Sequence, residues 1–176
     1  MVTRASLVLL VGFVAAVSPT AAAEHRAART LPPPGIRSNP AWLTVTTGPT
    51  NASQHLPPQL FAITAKANPD ALIPFGVFDG LKKLGASAAL IWATTISKSG
   101  HPFTFKRGAW PPRLNDFRLD HGWEGQPLPR IQQRLLWVAV QGWNLDIRVY
   151  FGTQHPSKAL LASVQAELNR LMLPSP

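Results

Sequence analysis

The residues best suited to chemistry fall between positions 98 and 125. Asp116, Asp120, His121 and Glu124 supply carboxylate oxygens and an imidazole, the donors that hold a divalent cation or pass a proton. Their spacing fits no calcium loop, and zinc would need a further convergent ligand. A solvated loop explains the same residues more simply, so no metal is assigned and no cofactor is expected. His101 and His155 each precede a proline at an expected element end, where turn and cap roles are commoner than catalysis. No G-x-S-x-G, H-E-x-x-H, phosphate-loop or dinucleotide pattern occurs. The chain has no cysteine, which excludes disulfides, thiolate metal sites and cysteine nucleophiles. A triad assembled in space stays open. A small hydrolase or metal-dependent enzyme built on the 116–124 loop is therefore the competing expectation. The favoured one is a protein that binds without reacting.

The same region interleaves cations with rings. Lys98, Lys106, Arg107, Arg113 and Arg118 alternate with Phe103, Phe105, Trp110 and Phe117. Single-strand nucleic-acid binders combine these types, the cations for phosphate and the rings for stacking. An edge strand with a buried aromatic face and a solvated basic face gives the same pattern, and specific nucleic-acid binding is not favoured. Trp110 and Trp123 stand in loop-like contexts, where tryptophan anchors ligands or closes the end of a core. The candidate ligand-binding residues are thus Lys106, Arg107, Trp110, Arg113, Asp120, His121, Trp123 and Glu124.

Charge and the N-terminus bound the setting. The formal net charge is +9. It favours anionic neighbours such as envelope polymers or lipid head groups, without selecting one. Residues 1–23 have the form of a secretory signal: Arg4, an apolar core from Leu7 to Val17, and small residues at Ala21 and Ala23 before Glu24. The core is short for a membrane span. The expectation is a secreted or extracytoplasmic bacterial protein with no span after cleavage; the alternative is an uncleaved N-terminal anchor. Residues 24–40, with Pro32, Pro33, Pro34 and several arginines, read as an extended linker. Residues 41–173 are long enough for one domain with a sizeable core.

The elements that must position the candidates are clearest after residue 130. Leu136, Val138 and Val140 alternate with Leu135, Trp137 and Ala139, as in a strand covered on both faces. Leu145, Ile147, Val149 and Phe151 alternate with Asp146, Arg148 and Tyr150. A two-residue loop containing Gly142 sets Val138 and Leu136 beside Leu145 and Ile147; one more residue would invert the faces. Trp137 is then expected over Arg148 or Tyr150. Pro156 at the first helical position opens a helix over 156–172. Its buried stripe is Leu160, Leu161, Val164, Leu168, Leu171 and Met172, and Glu167 falls with the polar residues. Upstream, residues 41–47, 60–65 and 86–96 read as strands, 103–105 as an edge strand, and 72–84 as a loop or short helix.

The run 145–152, then His155, Pro156 and Ser157, and a helix ending 166–171 resembles the C-terminal part of small uncharacterised exported proteins of high-GC Gram-positive bacteria. The resemblance covers about the last third and implies a shared hairpin–helix core. It brings no active-site residue. The expected fold is α+β: a mostly antiparallel sheet of about five or six strands packed on a C-terminal helix. A β-sandwich with one C-terminal helix is the alternative.

Overall fold

The computed structural model describes residues 31–47, 59–64, 77–96, 104–120 and 128–174. The elements are β1 (Gly35–Ile36), β2 (Trp42–Thr47), β3 (Gln59–Thr64), α1 (Val77–Lys82), β4 (Ala89–Ile96), β5 (Lys106–Arg107), a 3₁₀ turn (Leu114–Asp116), β6 (Arg118–Asp120), β7 (Gln132–Val140), β8 (Trp143–Phe151), α2 (Lys158–Leu168) and β9 (Leu171–Met172). The arrangement is β-rich α+β with open sheets. Among the described residues there are more strands than expected. One sheet has seven, in the order β2-β3-β4-β8-β7-β5 with β6 also on β7, and β1 pairs with β9 in a second. The excess lies in strands of two or three residues, too short for any alternation to show. The edge strand expected at 103–105 lies further on, at 106–107, and runs parallel to β7.

The hairpin sets the faces. Gln141 (φ 47°) and Gly142 (φ 85°) are both left-handed, the backbone of a two-residue type I′ turn. Glycine takes this freely; for Gln141 it costs about 1 kcal/mol. Val138 stands opposite Leu145 and Leu136 opposite Ile147, the register a two-residue loop requires. One face of the sheet therefore carries Val138, Val140, Leu145, Ile147, Val149 and Phe151. They are buried in one cluster with Ile91 and Ala93 of β4, Leu60 and Ala62 of β3, and Leu160, Val164 and Leu168 of α2. Burying an aliphatic side chain of this size contributes about 1.5–3 kcal/mol, so this face supplies most of the stability.

The opposite face divides in two. Its lower half is apolar: Phe61, Ile63, Leu90 and Tyr150 lie under Leu81, Leu84, Leu128 and Ile131. Burial raises the Tyr150 phenol pKa, with Arg148 opposing less strongly. Its upper half is aromatic and cationic. Phe61 and Trp92 stack with centroids 5.8 Å apart, and the Arg148 guanidinium lies 5.1 Å from the Trp92 centroid. Arg148 also pairs with Asp146 at 3.0 Å. Burial alone would lower the Arg148 pKa, but the hydrogen bond and charge of Asp146, helped by Tyr150, together raise it. Trp137 does not sit over Arg148 or Tyr150. It stands opposite Asp146, and the cation above its ring, at 4.6 Å, is Arg118 from β6.

The C-terminal helix is shorter than its apolar stripe. Ser157 is the N-cap and its Oγ accepts from the Leu160 amide at 3.2 Å, so Pro156 precedes the cap instead of opening the helix. At the other end the chain turns at Asn169 and Arg170, and Leu171 and Met172 become β9, opposite Ile36 and Gly35. Residues 31–40, read as linker, are thus tied to the fold. Arg37 donates from Nη2 to the Asn169 carbonyl (3.4 Å), Arg170 Nε donates to the Arg37 carbonyl (3.0 Å), and Thr95 Oγ1 donates to the Pro32 carbonyl (2.7 Å). Each tie ends on a main-chain carbonyl, which any residue could supply, so the side-chain pattern gave no sign of it.

Glu167 departs furthest from expectation. It is 0% exposed. Its Oε2 accepts from Asn39 Nδ2 at 2.6 Å and lies 3.7 Å from Arg170 Nε, while Oε1 has no hydrogen-bond partner among the described residues. Burial pushes its carboxyl pKa up; Asn39 and Arg170 pull it back only partly.

A methyl at Gly152 would overlap the Gly85 carbonyl, and neither backbone segment can yield cheaply. Gly152→Ala is expected to cost about 3 kcal/mol in denaturant unfolding. The folded Glu167 holds its proton more tightly than the unfolded chain does. From about pH 4, the ordinary glutamate value, stability therefore falls as pH rises through the folded pKa. Glu167→Gln should flatten that part of the pH–stability curve; superimposable curves for the two proteins would refute the assignment.

Candidate functional site

An open cleft of about 560 Å³ lies where β5 meets the end of the hairpin. Its first wall begins with Arg107, exposed, alongside Ala139 of β7. The next residue, Gly108, donates to the Ala139 carbonyl at 3.3 Å. A Cβ at Gly108 would come within 2.5 Å of Val138 Cγ2. Val138 is buried and stiff at χ1, so only glycine lets the strands approach this closely. Trp110 follows, half-buried, and its Nε1 donates to the Leu171 carbonyl at 3.2 Å. The indole orientation is thus fixed by β9.

Helix α2 holds the rest of this wall. Gln165 Oε1 accepts from the Leu114 amide at 2.7 Å, while its Nε2 donates to the Pro112 carbonyl at 3.3 Å and to Asn169 Oδ1 at 2.8 Å. One side chain therefore clamps the loop that carries Trp110. The second wall is the hairpin itself: Val140, Gln141, Gly142, Trp143 and Asn144. Trp143 is half-buried and packs by one side on the core cluster. The cleft thus presents two indoles, one guanidinium and two amides. Among the described residues its walls carry no carboxylate, imidazole, hydroxyl or thiol. They can stack on a ring, accept and donate hydrogen bonds, and neutralise an anion. They supply no nucleophile and no general base.

The candidates from sequence separate. Arg107 and Trp110 come together at the cleft, while Lys106 is exposed just before it on β5. Arg113 is exposed at the N-terminal end of the 3₁₀ turn, where its amide donates to Asp116 Oδ2 at 3.3 Å. Asp120 is elsewhere: it accepts from the buried Gln133 Nε2 at 3.0 Å. Gln133 is five residues before Val138 along β7, about 17 Å away. His121, Trp123 and Glu124, like His101, lie outside the described residues. Asp116 and Asp120 serve different contacts, and His155 is exposed beyond β8. Among the described residues no group of three or more His, Cys, Asp or Glu side chains is placed to hold a metal ion. Sequence reasoning missed Gln141, Trp143 and Asn144, treating their turn only as a question of register. The available signal was a residue other than glycine or asparagine where the backbone must be left-handed.

Gln165→Ala removes the acceptor of the Leu114 amide. It should cost about 1–2 kcal/mol and shift the tryptophan emission as the Trp110 loop loosens, read by denaturant unfolding and fluorescence. No family model matches the chain, and neither a curated protein nor a solved structure matches it.

Proposed function

We propose that this is an exported, non-enzymatic binding protein that holds an anionic envelope polymer in the cleft between β5 and the hairpin turn. One observation carries the reading. Trp110 and Arg107 reach a single open cleft from one segment and Trp143 from another, with no acidic group on its described walls. The net charge of +9 supports it, since a basic surface concentrates anionic ligands before any specific contact forms. The exported bacterial setting rests on the N-terminal signal and on the resemblance of the last third. In this reading α2 backs the sheet and, through Gln165, keeps the Trp110 wall in place. A hydrolase or metal-dependent enzyme on the 116–124 loop has no comparable support. Its two described members are engaged apart from each other, Asp116 with the Arg113 amide and Asp120 with Gln133.

The test is equilibrium binding of the purified protein to poly(glycerol phosphate) at low salt, followed by tryptophan fluorescence. Saturable binding that weakens as salt rises is expected. Arg107→Ala and Trp143→Ala should each weaken it about tenfold or more. Absence of saturable binding, or both variants binding like the parent, would sink the proposal.

A further inference from the structure

The two edges of the large sheet differ. On one side, among the described residues, the edge of β7 is covered only by β5 and β6, of two and three residues. These carry Lys106, Arg107 and Arg118, with Arg113 between them. Short strands and outward cations keep an edge from pairing with another chain. The other edge is β2, which pairs only with β3 among the described residues. Its six residues, Trp42 to Thr47, contain no charge, proline or glycine. Leu43 is 37% exposed and Val45 41%, and Thr44 and Thr46 are exposed on the other face. An uncharged, β-branched edge of this length is a pairing template.

We infer that β2 pairs with β2 of a second copy, making one continuous antiparallel sheet across a two-fold axis at Thr44. In an antiparallel pair, opposite residues share a face. The axis must therefore pass through a residue. Centred on Thr44, it sets Leu43 opposite Val45 twice and Thr44 opposite itself. All four exposed aliphatic side chains then meet on one face as cross-strand pairs. Self-complementarity points to a copy of this chain: the same Leu43 and Val45 supply both halves of each cross-strand pair. The strand is neutral, so neither copy brings a cation to the seam. The joined sheet carries its two basic edges at opposite ends. At about 4.8 Å per strand they lie roughly 50 Å apart, far beyond the ~8 Å screening length at physiological salt. The same geometry puts one cleft at each end, as two-site binding of a polymer requires.

A single strand pair is a small interface, so the dimer is weak and reversible, with a dissociation constant of about 100 μM. Sedimentation of the intact protein from about 5 to 500 μM should show a monomer–dimer equilibrium. Val45→Lys should raise the dissociation constant at least about tenfold, and Leu119→Lys, on the guarded edge, should leave it unchanged. The chain's lack of cysteine gives a second test. Thr44→Cys puts two thiols on Cα atoms ~5 Å apart and should form a disulfide dimer on mild oxidation. Ala41→Cys puts them ~20 Å apart and should not. A protein monomeric throughout, equal association of the Val45→Lys variant, or equal cross-linking at both positions would overturn the inference.

Discussion

Two consecutive left-handed residues, Gln141 and Gly142, set the sense of the whole sheet. They close the hairpin in two residues and so put Val138 and Leu136 on the same face as Leu145 and Ile147. Strand β4 takes its register from β8, β3 from β4, and β2 from β3. One residue more in the turn would carry Trp137 and Leu135 to the face of Leu145 and Ile147 and leave Val138 on the other. The same turn forms one wall of the cleft. The constraint that orients the core therefore also fixes where Trp143 and Asn144 face a ligand, and the slightly costly Gln141 sits where the two roles meet.

The other wall is held from a distance. Trp110 answers to the Leu171 carbonyl and Leu114 to Gln165, so the loop between β5 and β6 has its shape set by α2 and β9. Each such hydrogen bond is modest, about 1 kcal/mol net. Together they give a glycine- and proline-containing loop one conformation. The partly buried Arg148–Asp146 pair works similarly on the far face. Such a pair adds little net stability, but it keeps a guanidinium over Trp92 and keeps Trp92 stacked on Phe61.

Whatever rests on period-two alternation was legible in the sequence. Leu145, Ile147, Val149 and Phe151 announced their strand, Gly142 announced the turn, and the runs near 42, 60 and 90 announced the remaining long strands. What rests on main-chain pairing was not. Gly35 and Ile36 carry no pattern, yet they pair with Leu171 and Met172 because the chain turns at Asn169. Leu171 and Met172 continue the helical spacing of Leu160, Val164 and Leu168 in sequence and break it in space. Glu167 looks solvated by type and is buried, because Asn39 arrives from a segment that reads as linker. The site was half visible. Arg107 and Trp110 stood out as a cation and a ring in an irregular stretch, while Trp143 was hidden inside the alternation of a strand.

The pairing of β1 with β9 bears on the order in which the molecule is made. Arg37 and Asn169, which bond across it, are 132 residues apart in sequence. A contact spanning so long a loop closes late, because the chain between must first be gathered. A polypeptide emerging amino end first delivers residue 37 long before residue 169. Gly35, Ile36 and Arg37 must therefore wait for residues 169–172 before their partners exist. The same closing step brings Asn39 to Glu167, so the last part of the chain to lock is also the one that takes a carboxyl group out of water.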